Sequence, residues 1–222
     1  MALWLTADDQ ANRLLDTDPF ALLIGMTLDQ QYPMEAAFAG PQKIAGRMDG
    51  FDVRRIAEHD PEEFVALAST PPAIHRFPGS MARRVQELAR IVMDQYGGRT
   101  DGIWTEGDPN AAEVFARLKA LPGWGDQKAK IFVALLAKQR GVPADGWREV
   151  TGGYGEDGSF RSVADVTGPD ALLKVRAYKQ EMKAAAKSEA DAAPAKAKAA
   201  PKAAAKPTKT PAAKRTTRAG KA

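Results

Sequence analysis

The sequence predicts an all-α protein. Three observations carry this: apolar residues recur at helical spacing along most of the first 140 residues, helix-start signals recur ahead of them, and strand-like alternation is confined to Leu3 through Thr6. Taken in order, Asp18 is a cap with Pro19 in the first turn, and Phe20 to Leu28 is apolar almost all round, as a buried central helix reaching toward Gln31 would be. Pro33 ends it. Asp60-Pro61-Glu62-Glu63 opens another helix with a capping Asp, a proline at the first position and acidic first-turn residues. Ser80 is read as the cap of a third, whose stripe of Met81, Val85, Leu88, Val92 and Tyr96 stops at Gly97-Gly98. Ala111, Val114, Phe115 and Leu118 make one stripe, and Ile131, Phe132, Leu135 and Leu136 a second. Thr151 to Ser159, with four glycines, reads as a loop, and Pro169 to Lys187 as a last helix fraying into a tail.

Charge divides the chain. Residues 182–222 hold 11 Lys/Arg against Glu189 and Asp191, a net +9, whereas residues 1–181 hold 21 basic and 26 acidic residues, a net −5. The basic balance of the whole chain therefore belongs to the tail. Built almost wholly of Ala, Lys, Pro and Thr, with Pro194, Pro201, Pro207 and Pro211, it has nothing to bury and reads as disordered. A polycation spaced by prolines resembles the Lys/Ala/Pro-rich tails of linker histones and some bacterial nucleoid proteins, and suits sequence-independent attraction to phosphates; the plainer reading is a solubilising extension. The domains expected are thus a helical body over 1–181 and a disordered tail over 182–222. Cysteine is absent, which excludes a disulfide framework and any Cys-ligated iron–sulfur cluster. No run of about 18 apolar residues appears, and the start of the chain lacks a basic segment ahead of an apolar one, so the expectation is a cytoplasmic, nucleoid-associated monomer without membrane contact.

The most informative stretch is Leu121-Pro122-Gly123-Trp124-Gly125, a tight glycine turn between two helical stripes, so that 111–139 reads as helix, hairpin, helix. Glycines one residue apart let the backbone approach a ligand, and the positive end of the next helix lies just beyond them, an arrangement suited to a phosphate. A Gly/Pro-rich loop, Gly141-Val142-Pro143-Ala144-Asp145, follows, placing an aspartate 24 residues after Leu121.

This set resembles the helix-hairpin-helix (HhH-GPD) DNA glycosylases of base excision repair, and the absence of cysteine points to the cluster-less bacterial branch. Met26-Thr27-Leu28-Asp29-Gln30-Gln31 looks like that family's early apolar helix ending in a Gln pair, and Gly79-Ser80-Met81-Ala82-Arg83-Arg84-Val85 looks like the helix start preceding its hairpin domain. The resemblance covers roughly residues 15 to 150. It implies a two-lobed fold, with the hairpin lobe and the lobe built on the 19–31 helix flanking a cleft. It also implies an enzyme that hydrolyses the N-glycosidic bond of a damaged or mismatched base in double-stranded DNA.

Cutting that bond builds positive charge on the sugar, which a nearby carboxylate stabilises. The resemblance assigns this role to Asp145; the plainer reading is an N-cap for a helix starting near Gly146, and in the family one residue serves both ends. Family members that also nick the strand carry a lysine two places after the second hairpin glycine, whose amine forms a Schiff base. Here that residue is Gln127, which implies a monofunctional enzyme. Ala129 holds the alignment, leaving Lys128 as a phosphate or solvent contact. Gly123, Gly125, Gln127, Lys128 and Lys130 are the expected DNA contacts of the hairpin. Gln30 and Gln31 are candidates to hydrogen bond base edges or fill the space of a flipped base, against a plainer role as helix-end amides. Met26 stands where the adenine-mismatch branch has a catalytic Glu, which disfavours that branch.

His59 and His75 are too isolated for a metal site, and the resemblance suggests at most a monovalent cation on the hairpin carbonyls. Of Trp4, Trp104, Trp124 and Trp147, core positions are the first expectation for all; Trp147 is the candidate for a base pocket, and Trp124 is expected to anchor the hairpin to the body. The sequence departs from the family after Asp145, where Gly146-Trp147-Arg148-Glu149 replaces the usual continuation, and the acidic body lacks a basic DNA-binding surface. A rival reading follows: a non-catalytic helix-hairpin-helix or nucleoid-associated module that binds DNA through hairpin and tail.

Overall fold

The helices start where side chains can satisfy their free N–H groups. In a computed structural model that describes residues 3–192, the Asp8 carboxylate accepts from the backbone of Gln10 and Ala11 to open α1 (Asp9–Thr17). Asp18 does the same for Phe20 and Ala21 at α2 (Pro19–Leu28). Each such cap is worth about 1 kcal/mol. Phe20 to Leu28 is buried without a break, so α2 is the central helix that its all-round apolarity predicts. It packs against α1, α3 (Met34–Phe38) and α4 (Gly40–Ala45). Asp52 and Asp60 cap α5 (Val53–Glu58) and α6 (Pro61–Ser69), and both helices lie on α7 (Pro78–Tyr96), which Gly97 stops in the left-handed conformation, φ 60°.

After α8 (Gly102–Thr105), an Asn110–Glu113 capping box opens α9 (Ala111–Lys119), and the hairpin turns the chain into α10 (Asp126–Gln139). The expected 111–139 unit is therefore present with its bounds. α10 packs against α9, against α11 (Trp147–Thr151) and against two 3-10 turns, Gly152–Gly155 and Val163–Asp165. The Lys138 ammonium donates to the buried Asp165 carboxylate at 2.7 Å, fixing the second turn to α10. The last element of the described residues is α12 (Pro169–Ala192). One continuous apolar core runs beneath both lobes, from Leu3 and Leu5 to Val175.

Four expectations need correction. Leu3 to Thr6 is not a strand: Leu3 and Leu5 do turn inward and Trp4 outward, but the N–H groups of Leu5 and Thr6 donate to the Asn12 side chain, so the segment has no ladder partner. Ser80 does not cap α7, which begins two residues earlier with Pro78 in its first turn, where a missing N–H costs nothing. The central helix stops at Leu28 rather than near Gln31, because Asp29 leaves helical dihedrals and Gln31 takes φ 54° ahead of Pro33. Finally, α12 reaches Ala192, so residues 182–192 of the expected tail are helical. Ala184 to Ala186 favour a helix, and the first tail proline, on which the reading rested, comes only at Pro194. The remainder of the tail lies outside the described residues.

Candidate nucleic-acid interface and cleft

The hairpin is held to the body by Trp124. Its indole is 5 % exposed, meets Phe132 edge-on at 5.2 Å and donates to the Thr27 hydroxyl at 3.1 Å, joining the hairpin to the end of α2. This is the anchoring role expected of it. Gly123 needs its φ of +77°, and a Cβ there would meet the Arg84 guanidinium at 2.8 Å. Gly125, by contrast, faces open space and starts α10 with no side-chain cap, so the first N–H groups of a 14-residue helix point outward with the positive end of its dipole.

Between the hairpin and the end of α2 lies a cleft of about 710 Å³. Met26, Asp29 and Gln30 form one wall; Gly123, Gly125, Gln127, Lys128 and Ile131 form the facing one. Gly153, Tyr154 and Arg161 close one end, and α12 contributes Tyr178, Lys179 and Met182 at the mouth. Of the expected site residues, the cleft gathers Gly123, Gly125, Gln127, Lys128 and Gln30. Gln127 is exposed, and its amide donates to the Tyr154 hydroxyl at 2.9 Å. Gln30 accepts from Arg84 at 3.2 Å through its side chain, and its backbone carbonyl accepts from His75 at 3.0 Å. His75 is buried and takes the Phe77 N–H on its other ring nitrogen, which fixes the neutral tautomer; burial also lowers its pKa.

Lys128, expected as a phosphate or solvent contact, turns inward instead. Its ammonium donates to the Thr27 carbonyl at 2.9 Å and sits 5.8 Å from the Trp124 ring. Burial, opposed by Asp29 and reinforced by Arg84, brings its pKa down to about 8. Lys128 lies in the first turn of α10, from which its side chain reaches the Thr27 carbonyl in the last turn of α2. Lys130 and Gln31 are outside the cleft lining; Gln31 is exposed, with Arg76 3.5 Å from its carbonyl.

Asp145 is not brought to the cleft. Its carbonyl accepts the N–H of Ala111 at 2.9 Å, which ties the loop to the first residue of α9, whereas the hairpin leaves from the last. Nine residues of helix separate the two ends, about 13 Å. The carboxylate is exposed and accepts no hydrogen bond among the described residues; nor does it cap α11, whose cap position is Gly146 in the left-handed conformation. Trp147 is also outside: half-buried, it lies under the Arg148 guanidinium at 4.4 Å and against Gly155. The Gly/Pro composition that marked this loop sets its flexibility in sequence but not its destination.

Asp29, Arg84, Tyr154 and Arg161 escaped the sequence reading as site residues. Asp29 alone left a trace there, as the one acidic residue in the apolar stretch from Pro19 to Met34. Arg84 reaches the hairpin from α7; the sequence placed it in a family-like helix start but gave it no role at the site. Among the described residues no cluster of His, Asp or Glu has metal-ligand geometry, and no helix is long and apolar enough to cross a membrane.

A family model described as HhH-GPD superfamily base excision DNA repair protein matches residues 24–140, just over half of the chain, from within α2 to the end of α10. Neither a curated protein nor a solved structure matches.

Proposed function

The chain belongs to the HhH-GPD superfamily of base excision DNA repair proteins, and from that premise and the cleft we propose that it is a monofunctional DNA glycosylase, hydrolysing the N-glycosidic bond of a damaged or mismatched base in double-stranded DNA. The observation that carries the reading is the cleft itself: an uncapped helix start and an open Gly125 on its rim, and inside it a mixed polar and apolar space of about 710 Å³, large enough for a flipped base. Phosphates of the strand sit against the hairpin N–H groups while the extruded nucleotide enters beside Gln127 and Gln30.

The absence of strand cleavage rests on two side chains. Gln127, two places after Gly125, offers an amide and no amine. The Lys128 amine is spent on the Thr27 carbonyl, so it is not free to attack a sugar carbon. The basic tail, net +9, adds a non-specific pull toward the duplex.

Duplexes carrying uracil, an alkylated purine or an oxidised base, incubated with the protein and then treated with alkali, test the reading. Alkali-dependent breaks at one of these bases, with no adduct trapped by borohydride, are expected. Breaks without alkali, or an adduct that disappears in Lys128→Ala, would overturn the monofunctional assignment. Tight duplex binding with no excision of any base would favour the non-catalytic module.

A further inference from the structure

We propose that Asp29, and not Asp145, is the carboxylate that acts on the sugar–base bond in this cleft. The proposal rests on the glycosylase reading above. Among the described residues lining the cleft, Asp29 is the one carboxylate. Its backbone explains why it is there. With φ −72° and ψ 67°, and the N–H of Gln30 donating to the Leu28 carbonyl at 2.7 Å, Asp29 is the centre of an inverse γ-turn that swings the chain off the end of α2. The turn is locked from both sides, by Trp124 and Lys128 on Thr27 and by His75 on the Gln30 carbonyl. A carboxylate held on so constrained a hinge loses little when substrate arrives.

Its surroundings suit the chemistry. The side chain is 17 % exposed and accepts no hydrogen bond among the described residues, and its nearest cation, the Lys179 ammonium of α12, stands off at 3.9 Å. Its oxygens therefore have lone pairs free for a water or a developing cation. Burial raises its pKa and outweighs the opposing pull of Lys179 and Lys128, with Glu35 adding to the rise. Such a group is a better proton acceptor than a solvated carboxylate.

In the step proposed, a water held against Asp29 passes a proton to the carboxylate while its oxygen bonds the anomeric carbon. The bond from that carbon to the base nitrogen breaks, its electron pair leaving with the base, which takes a proton from solvent. Asp29 then returns its own proton to solvent, and the products are a free base and an abasic site.

The test uses the full chain and whichever of the uracil, alkylated-purine or oxidised-base duplexes the wild type processes, with single-turnover excision as one readout and binding to a tetrahydrofuran-containing duplex as the other. Asp29→Asn is expected to lower the excision rate at least about 100-fold with binding within about threefold, and Asp145→Asn to keep both. Asp29→Glu, which keeps the charge at the turn, is expected to retain more rate than Asp29→Asn. A wild-type rate in Asp29→Asn, the large loss appearing in Asp145→Asn instead, or a parallel loss of binding in Asp29→Asn would each overturn the assignment while leaving the glycosylase reading in place. A wild type that excises none of the bases sinks that reading, and the assignment with it.

Discussion

Asp29 and Asp145 have the same side chain and opposite surroundings. The first sits at the end of a helix buried from Phe20 to Leu28, on a turn pinned by Trp124, Lys128 and His75. The second is itself exposed, on a loop tied by backbone hydrogen bonds to the start of α9 and to α10, and its carboxylate accepts no hydrogen bond among the described residues. A unit positive charge developing about 5 Å from a carboxylate gains about 0.8 kcal/mol in bulk water and about 3 kcal/mol at an effective dielectric of 20. Burial thus decides which aspartate can alter a rate, and burial is decided by what packs around each residue rather than by its place in a motif.

The comparison breaks most sharply on excision, where the hundredfold split between Asp29→Asn and Asp145→Asn is the largest effect expected. Next comes the packing that keeps Asp29 out of water. Trp124→Ala removes a buried indole and the Thr27 hydrogen bond together, and should cost about 3–5 kcal/mol in urea unfolding, with excision falling in step; Trp147→Ala, beside Asp145, should cost less than half as much. Equal costs for the two tryptophans would mean that the two regions are equally packed.

Gly123→Val comes third. Its φ of +77° excludes a β-branched residue, and the Cβ would displace Arg84, so a loss of about 2 kcal/mol in stability is expected, with weaker duplex binding in a filter or anisotropy assay. Normal binding by a folded Gly123→Val protein would remove the hairpin from the interface.

Lys128 gives a pH-dependent contrast of similar size. Its folded pKa of about 8 lies below the ordinary 10.5, so the fold favours the neutral amine. The charged form therefore costs stability in full below pH 8, and the cost shrinks as pH rises from 8 to 10.5. Lys128→Met should be more stable than wild type at pH 7, by about 1–3 kcal/mol, with the gap closing toward pH 10. A gap that widened with pH would reverse the sign of the assignment.

The smallest effect on chemistry is expected from the tail. Removing residues 193–222 takes away nine Lys/Arg and no acid while leaving α12 intact. Duplex binding should weaken and its dependence on salt flatten, by about 0.9 in the log–log slope for each phosphate that the tail had neutralised, with the single-turnover excision rate unchanged. An unaltered slope would free the tail of any role on DNA.

Local signals determined the main helices and several of their ends. Asp18-Pro19, Asp60-Pro61 and Gly97 specified caps that the structure realises, because a cap is a hydrogen bond between residues two or three apart, or a single dihedral. The 111–139 hairpin was legible for the same reason, and so was the anchoring of Trp124, a bulky indole with no solvated role at a turn. Charge, read by segment, separated body from tail. What the sequence could not carry were distances between residues far apart in the chain. Lys128 lies 101 residues from Thr27, Gln30 54 from Arg84, and Gln127 27 from Tyr154. Each of these pairings exists because two helices settled at one angle and not another, and helix packing depends on the sum of many small apolar interactions with no local signature. The same sum carried the Gly141–Asp145 loop to the start of α9 and left Asp29, to which the sequence assigned no role, as the carboxylate in the cleft.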